Sequence, residues 1–420
     1  MMNWISISFF AIGFLIFCSM LKKNADIISP ARIFGLAWCV VFGLANLKFS
    51  KLQFTWDYTQ WMLVLMGPIS FLIGLYSIYV INLGSQLLPL CEIRKKVMFQ
   101  QINSKKLFYL IIFAFFIYLS GYFVIYLVKG YIPIFTLRPA AARGEYFIFG
   151  VGLFPHTMAV IIYFSVIYHL FTEDNIVRKR IIKAIMLITL VTYLFLLQRY
   201  QLIMVAVLAF SVLYYTTRHI RLRTMLIFIL LGIILIYSVA TLRSGKIIQL
   251  ALYVTSQMKF SPDYAIFTEP YMYIVMNVEN FVHSVSKLEQ FTFGYYTFNF
   301  ALALTGLKHW IEGYYGIVDT PFLFSGYNTY TFFWTFYRDF GILGISFIPL
   351  ILGLFVGSLY YTIRRHPTIE LITYYCIIVF MMMMSFFVNL LGFLWFVYII
   401  VWIVLIFRFI RINTHSSVCS

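Results

Sequence analysis

The stretch YNTYTFFWTFYRDFGILGISFIPLILGLFVGSLYYTIRR, residues 327–365, changes character in its middle. As far as Phe340 it is aromatic and polar, with Arg338 beside Asp339. From Gly341 to Ile363 it carries no charge, and Arg364 and Arg365 follow at once. As a helix, an uncharged run of that length covers the ~30 Å hydrocarbon of a bilayer. Arginines at its end mark a cytoplasmic border, because Lys and Arg concentrate on that side.

The same pattern recurs along the chain. Of 420 residues 63% are hydrophobic and 11% charged, against about 25% charged in a soluble domain. The expectation is an all-α, polytopic integral membrane helical bundle of about 11 transmembrane helices, over roughly 3–20, 31–47, 60–82, 107–128, 147–171, 181–198, 200–217, 224–242, 341–363, 369–390 and 392–410. It is read as a single membrane-embedded domain, 1–420, with a large outer loop at 243–340 that contains amphipathic helices. Residues 4–20 read as a retained first helix, since Lys22 and Lys23 follow the apolar run instead of preceding it. Gly353 and Gly357 have the spacing that favours close helix packing.

The net charge of +17 is explained by topology. One alternating set of loops holds nineteen basic and five acidic residues, and the other holds twelve and nine. Fourteen of the seventeen net charges therefore lie on one side, the cytoplasmic one. This places the N-terminus outside and the C-terminus inside, and it removes nucleic acid as the partner. Membrane lipid is the partner instead. The five cysteines show no C-x-x-C spacing and no disulfide framework.

The chemistry-bearing residues concentrate outside. The stretch 243–341 holds seven of the fourteen acidic residues and two of the seven histidines. Within it, Ile274, Val278, Phe281, Val282, Val285 and Leu288 recur at helical spacing, with Asn280, His283 and Lys287 opposite. This predicts a helix over 271–290 lying along the outer boundary. Arg138, Arg143, Arg199, Arg243 and Arg338 run against the positive-inside trend. Arginine presents a planar fork that holds phosphate bidentately. His283, Asp339 and Glu145 are candidate proton acceptors, and the aromatics from Tyr327 to Phe340 can stack on sugar rings or form an interfacial belt. A neighbouring arginine lowers an aspartate's basicity. The reading therefore leans to His283 for proton transfer and to Asp339 for orienting substrate or Arg243. No D-x-D pair, H-E-x-x-H, Walker A, G-x-G-x-x-G or G-x-S-x-G occurs.

Several of these segments together resemble a known family, the bacterial O-antigen polymerases (Wzy-type oligosaccharide repeat-unit polymerases). Asn328-Thr329-Tyr330-Thr331 through Tyr337-Arg338-Asp339-Phe340-Gly341 is similar to the family's pattern before a Gly-rich span. Arg143-Gly144, Arg199 and Arg243-Ser244-Gly245 resemble its outer arginines, and Tyr273 and Asn277 stand where its large loop has a tyrosine and an asparagine. The resemblance implies a glycosyltransferase on the periplasmic face of the bacterial inner membrane. It joins undecaprenyl-pyrophosphate-linked oligosaccharide units, without metal, nucleotide or other cofactor. His283, Asp339, Arg243 and Arg338 are then the catalytic candidates. Arg143, Glu145, Arg199, Tyr273, Asn277, Tyr330 and Tyr337 are the substrate-binding ones. A chain-length regulator and a flippase of the same pathway are the implied protein partners. A ligase transferring the finished glycan, or a non-enzymatic flippase of lipid-linked oligosaccharide, are the alternatives.

Reporter fusions after Lys106, Arg180, Arg223 and Arg365 are expected to signal cytoplasm. Fusions near Glu145 and Glu289 are expected to signal the outside. A cytoplasmic signal near Glu289 would remove the outer-site reading.

Overall fold

A computed structural model describes residues 4–22, 25–100, 102–172, 175–217, 224, 227, 249–288, 290–308, 310–311, 322–324 and 326–411. In order, its α-helices are α1 Trp4–Met20, α2 Pro30–Ala45, α3 Tyr58–Ile81, α4 Leu90–Met98, α5 Ser104–Lys129, α6 Pro139–Glu145, α7 Met158–Phe171, α8 Ile176–Leu194, α9 Tyr200–Thr216, α10 Thr268–Val285, α11 Asn299–Thr305, α12 Phe332–Arg365, α13 Ile369–Met384 and α14 Leu394–Ile410. No strand forms among the described residues, and one isolated bridge joins Ser50 to Met258. Apart from residues 224 and 227, the expected span over 224–242 lies outside the described residues, as does Arg243.

Local chemistry sets several helix ends. The Asp57 carboxylate accepts the Gln60 N–H at 2.8 Å while the Gln60 side chain accepts the Asp57 N–H at 2.9 Å, a reciprocal cap that starts α3. Asn103 caps α5 through Lys106 N–H at 3.0 Å, and Gly130 ends that helix at φ 74°, where a side chain would strain the backbone. Asn175 caps α8 through Val177 N–H at 2.8 Å.

Among the described residues, four segments are long and apolar enough to cross a membrane: Tyr58–Ile81, Ser104–Phe135, Val151–Phe171 and Phe332–Arg365. The shorter apolar helices α1, α2, α9, α13 and α14 fall on the stretches read as spans from sequence. Large apolar side chains such as Phe14, Ile73, Phe116 and Phe355 are exposed on these helices, as lipid-facing residues are. The protein is a helical membrane protein.

Contacts cluster into two compact units. The first comprises 1–90, 246–366 and 377–394, and the second 91–245, 367–376 and 395–420. In the first unit α3 packs along α12 through small residues. A Cβ on Gly353 would stand 2.2 Å from the Phe71 carbonyl oxygen, and one on Gly74 would stand 2.3 Å from that of Leu350. Such backbone approach is how helices gain contact where lipid removes the hydrophobic drive between them. Gly357 meets Ile78 in the same seam. The helix α12 breaks at Gly341, whose φ of 61° and ψ of −144° are not helical. A short aromatic helical segment at 332–340 thus precedes the apolar helix, and the break falls where the composition changes. In the second unit α7 is the central helix, with 78% of its segment's apolar window buried.

Gly353→Val is expected to force α3 and α12 apart. Overpacking of this kind costs about 1–3 kcal/mol. The melting temperature of detergent-purified protein should fall by several degrees, while Gly84→Val, with nothing within 4 Å of the added Cβ, should leave it unchanged.

Candidate functional site

The polar region of the first unit is built on α10. Apolar residues at helical spacing bury one side of it, and Tyr271, Met272, Val275, Met276, Val278, Phe281 and Val282 are all enclosed. The polar residues are enclosed too, which departs from a helix lying along the boundary. Asn280, expected on the outward face, has no exposed surface. Its amide donates to the carbonyls of Tyr327 at 2.7 Å and Thr329 at 2.9 Å, and its oxygen accepts the Leu323 N–H at 3.0 Å. Three loop groups need partners and one side chain supplies them. His283 is half-buried and Lys287 exposed, so the outward face is narrower than the periodicity suggests, and the helix ends at Val285 instead of near 290.

Glu279, which the sequence reading passed over, is 0% exposed. Its carboxylate accepts from Lys48 Nζ at 2.5 Å, Gln53 Nε2 at 3.0 Å and Trp56 Nε1 at 2.9 Å. Burial pushes this carboxyl above its usual range, and Lys48 and the other donors pull it back. Burial likewise lowers the Lys48 ammonium. Tyr271 adds a second tie, donating to Gln53 Oε1 at 2.7 Å. The α2–α3 connection is therefore fastened to α10.

Through α10 the loop 322–331 is held against the start of α12. Asn277 accepts the Thr329 hydroxyl, and Ser284 donates to the Tyr330 hydroxyl at 3.1 Å. Phe322, Tyr330, Trp334 and Tyr337 then form a ladder of near-parallel rings, with successive centroids 4.8, 5.0 and 6.0 Å apart. Tyr337 touches Phe281 and Phe291, while Tyr273 meets Tyr327 edge-on at 5.3 Å. His283 stands beside Ser284 on the same helix. Burial and the nearby Lys287 charge hold its imidazole below the ordinary value, so it is neutral at pH 7.

Arg338 and Asp339 are adjacent in sequence and opposite in circumstance. Asp339 is 0% exposed and saturated. It accepts from Thr292 Oγ1 at 2.5 Å, Tyr296 N–H at 3.2 Å, and the N–H and hydroxyl of Thr297 at 2.6 Å each. These bonds fix the turn at 292–297 and leave the carboxylate no open side for substrate. Arg338 is 5% exposed. It donates one N–H to the Gln290 carbonyl and lies 5.7 Å over the Tyr296 ring. Its Nε is buried without an acceptor, and among the described residues no carboxylate lies within ion-pair distance of it.

The second unit carries the other expected residues. Arg143 and Glu145 are on α6, half-buried and exposed respectively, and Arg199 precedes α9. Arg143 lies near enough to Tyr193 to interact with it electrostatically, and the Tyr193 hydroxyl donates to Gln198 Oε1 at 3.1 Å. Among the described residues no group of three metal-ligating side chains occurs.

A scan against protein-family models and searches of curated proteins and of solved structures found nothing that matches this chain.

If His283 takes a proton during turnover, activity requires its neutral form. The rate should then be flat at neutral pH and fall as pH drops through a pKa below about 6.5. Lys287→Met removes the repelling charge, so the acid limb of kcat against pH should move upward. An acid limb unchanged by Lys287→Met would exclude His283 as the titrating group.

Proposed function

We propose that the chain is a polymerase of undecaprenyl-pyrophosphate-linked oligosaccharide repeat units, acting on the periplasmic face of the bacterial inner membrane and building O-antigen or a related surface polysaccharide. The observation that carries this reading is Arg338, nine-tenths buried beside a neutral carbonyl and an aromatic ring, with no carboxylate in reach among the described residues. An uncompensated buried charge is costly. Its retention is accounted for if an anion completes it during turnover. Pyrophosphate suits a guanidinium whose planar edge is still available.

The topology in this reading is that of eleven spans, N-terminus periplasmic and C-terminus cytoplasmic, which puts the 243–340 loop on the side where lipid-linked saccharides are polymerised. The aromatic ladder from Phe322 to Tyr337 offers ring faces to a saccharide. A sugar hydroxyl of the incoming unit attacks the anomeric carbon at the end of the growing chain. The anomeric carbon–oxygen bond to pyrophosphate breaks, and undecaprenyl pyrophosphate leaves with the electron pair. His283 accepts the hydroxyl proton, and Arg338 meets the charge that grows on the leaving group. The donor is already activated, so no nucleotide sugar takes part.

Arg338→Ala is expected to abolish long chains and leave a single capped repeat unit on the cell surface, with the protein level unchanged. Arg338→Lys should be strongly impaired, because an ammonium lacks the bidentate fork. Surface-glycan ladders on gels read both. Accumulation of long lipid-linked polymer in Arg338→Ala would point to a ligase, loss of all display to a flippase, and normal ladders in both variants would refute the proposal.

A further inference from the structure

The segment 291–306, FTFGYYTFNFALALTG, carries no charged residue, and Glu289 and Lys308 flank it. In the first unit it folds against the end of the aromatic part of α12. The Thr292 and Phe293 N–H groups donate to the carbonyls of Arg338 and Asp339 at 3.2 and 3.1 Å. The Phe291 ring rests on Gly341, where a Cβ would stand 2.7 Å from it, so the break in α12 is also the seat of this segment. Even so, Phe291, Phe293, Phe298, Leu304, Leu307 and Trp310 are exposed, Phe293 by 82% and Trp310 by 81%. Single exposed apolar residues are ordinary on a protein surface, but so many large ones in one short stretch mark a surface that meets something apolar. Phe293 also holds φ at 44°, a conformation that strains a bulky residue. In water nothing at an exposed ring offsets that strain.

What covers this surface follows from what it adjoins. Just past Gly341, α12 exposes Ile342, Leu343, Phe347, Ile351 and Phe355 along a helix long and apolar enough to cross the membrane. Phe291, seated on Gly341, continues that lipid-facing surface onto the segment. The polar groups of the segment are arranged for the same surroundings. All three of its threonine hydroxyls are paired, those of Thr292 and Thr297 with the Asp339 carboxylate and that of Thr305 with the Ala301 carbonyl. Most N–H groups from Thr292 to Leu302 are paired too. Those of Tyr296 and Thr297 reach Asp339, and those of Tyr295, Phe298, Ala301 and Leu302 find carbonyls within the segment. Backbone that leaves water must find its partners inside the protein, and the buried Asp339 carboxylate supplies them where the turn is not helical.

We propose that the segment 291–308, with Trp310 beyond it, is a membrane-docking wedge whose exposed aromatic and leucine side chains enter the interfacial layer of the bilayer beside α12. The occupant of this surface is lipid. The inference goes beyond the polymerase reading and stands without it. The boundary position that periodicity gives to 271–290, whose Asn280 is enclosed, falls to the next stretch of chain instead. The wedge also sets the surroundings of Arg338, since Gln290 and Tyr296, which contact it, belong to the same stretch. Docked on lipid, it keeps that guanidinium near the membrane boundary.

The test places the photocrosslinker p-benzoylphenylalanine at Phe293 or at Trp310 of the full-length chain, purified and reconstituted in vesicles of phosphatidylethanolamine and phosphatidylglycerol. The same group at Phe347, on the lipid-facing side of α12, and at Lys287, exposed and charged, gives the two references. After irradiation, mass spectrometry reads phospholipid adducts and gels read cross-linked copies of the chain. Phospholipid adducts are expected at Phe293 and Trp310 at the Phe347 level, with loss to background at Lys287. Phe293→Asp keeps the fold, because aspartate tolerates positive φ better than a bulky residue does, and the melting temperature should be unchanged. It should remove most of the phospholipid adduct read at Phe298. Background yield at both Phe293 and Trp310 overturns the proposal. So does cross-linking to a second copy in place of phospholipid, or an undiminished adduct at Phe298 in Phe293→Asp.

Discussion

One carboxylate holds the polar part of the first unit in place. Glu279 has no exposed surface and gathers Lys48, Gln53 and Trp56 from the α2–α3 connection. Breaking such a pair by removing one partner costs about 3–5 kcal/mol, because the other charge is left buried alone. The tie fixes α10 at one end of a chain of dependences. Asn277 and Asn280 then hold the 322–331 loop, and the loop sets the aromatic ladder on α12. Lys48 itself adopts a positive φ of 52° to reach its partner, a conformation that costs a non-glycine residue energy and is retained because the surroundings require it.

Arg338 and Asp339 show how neighbours on one helix divide roles. Side chains one residue apart point to different sides of a helix. Asp339 points to the 292–297 turn and is consumed there as an acceptor of four hydrogen bonds. Arg338 points toward Gln290 and Tyr296, which are neutral. The pair is therefore not an ion pair, and the positive charge stays available. The Gly341 break, two residues after Asp339, ends this polar segment and lets the apolar helix begin in a new direction.

Much of the architecture was legible in residue order. The stretches around 3–20, 31–47, 60–82, 107–128 and 341–363 read as helices because long apolar runs leave the backbone no partner except itself in lipid, whereas the helical 332–340 was read as part of the loop. The change at Gly341 was visible as composition and appears as a backbone break. The spacing of Gly353 and Gly357 announced a close helix contact, although not that α3 would supply it. The aromatic run from Tyr327 onward was also visible, as were Arg138, Arg143, Arg199, Arg243 and Arg338 in the less basic set of loops.

What each polar residue meets was not legible. Periodicity tells which side chains share a helix face, but not what that face packs against. Asn280 therefore read as outward, whereas it is enclosed by a loop more than 40 residues further on. Glu279 gave no signal at all, since its partners precede it by more than 220 residues. By itself, then, the sequence determined that this chain is helical, membrane-embedded and polar over one long connecting stretch, because hydrophobicity and charge are local properties. Only the tertiary structure decided which buried charges are compensated and which are left open, because compensation depends on distances between residues far apart in the chain.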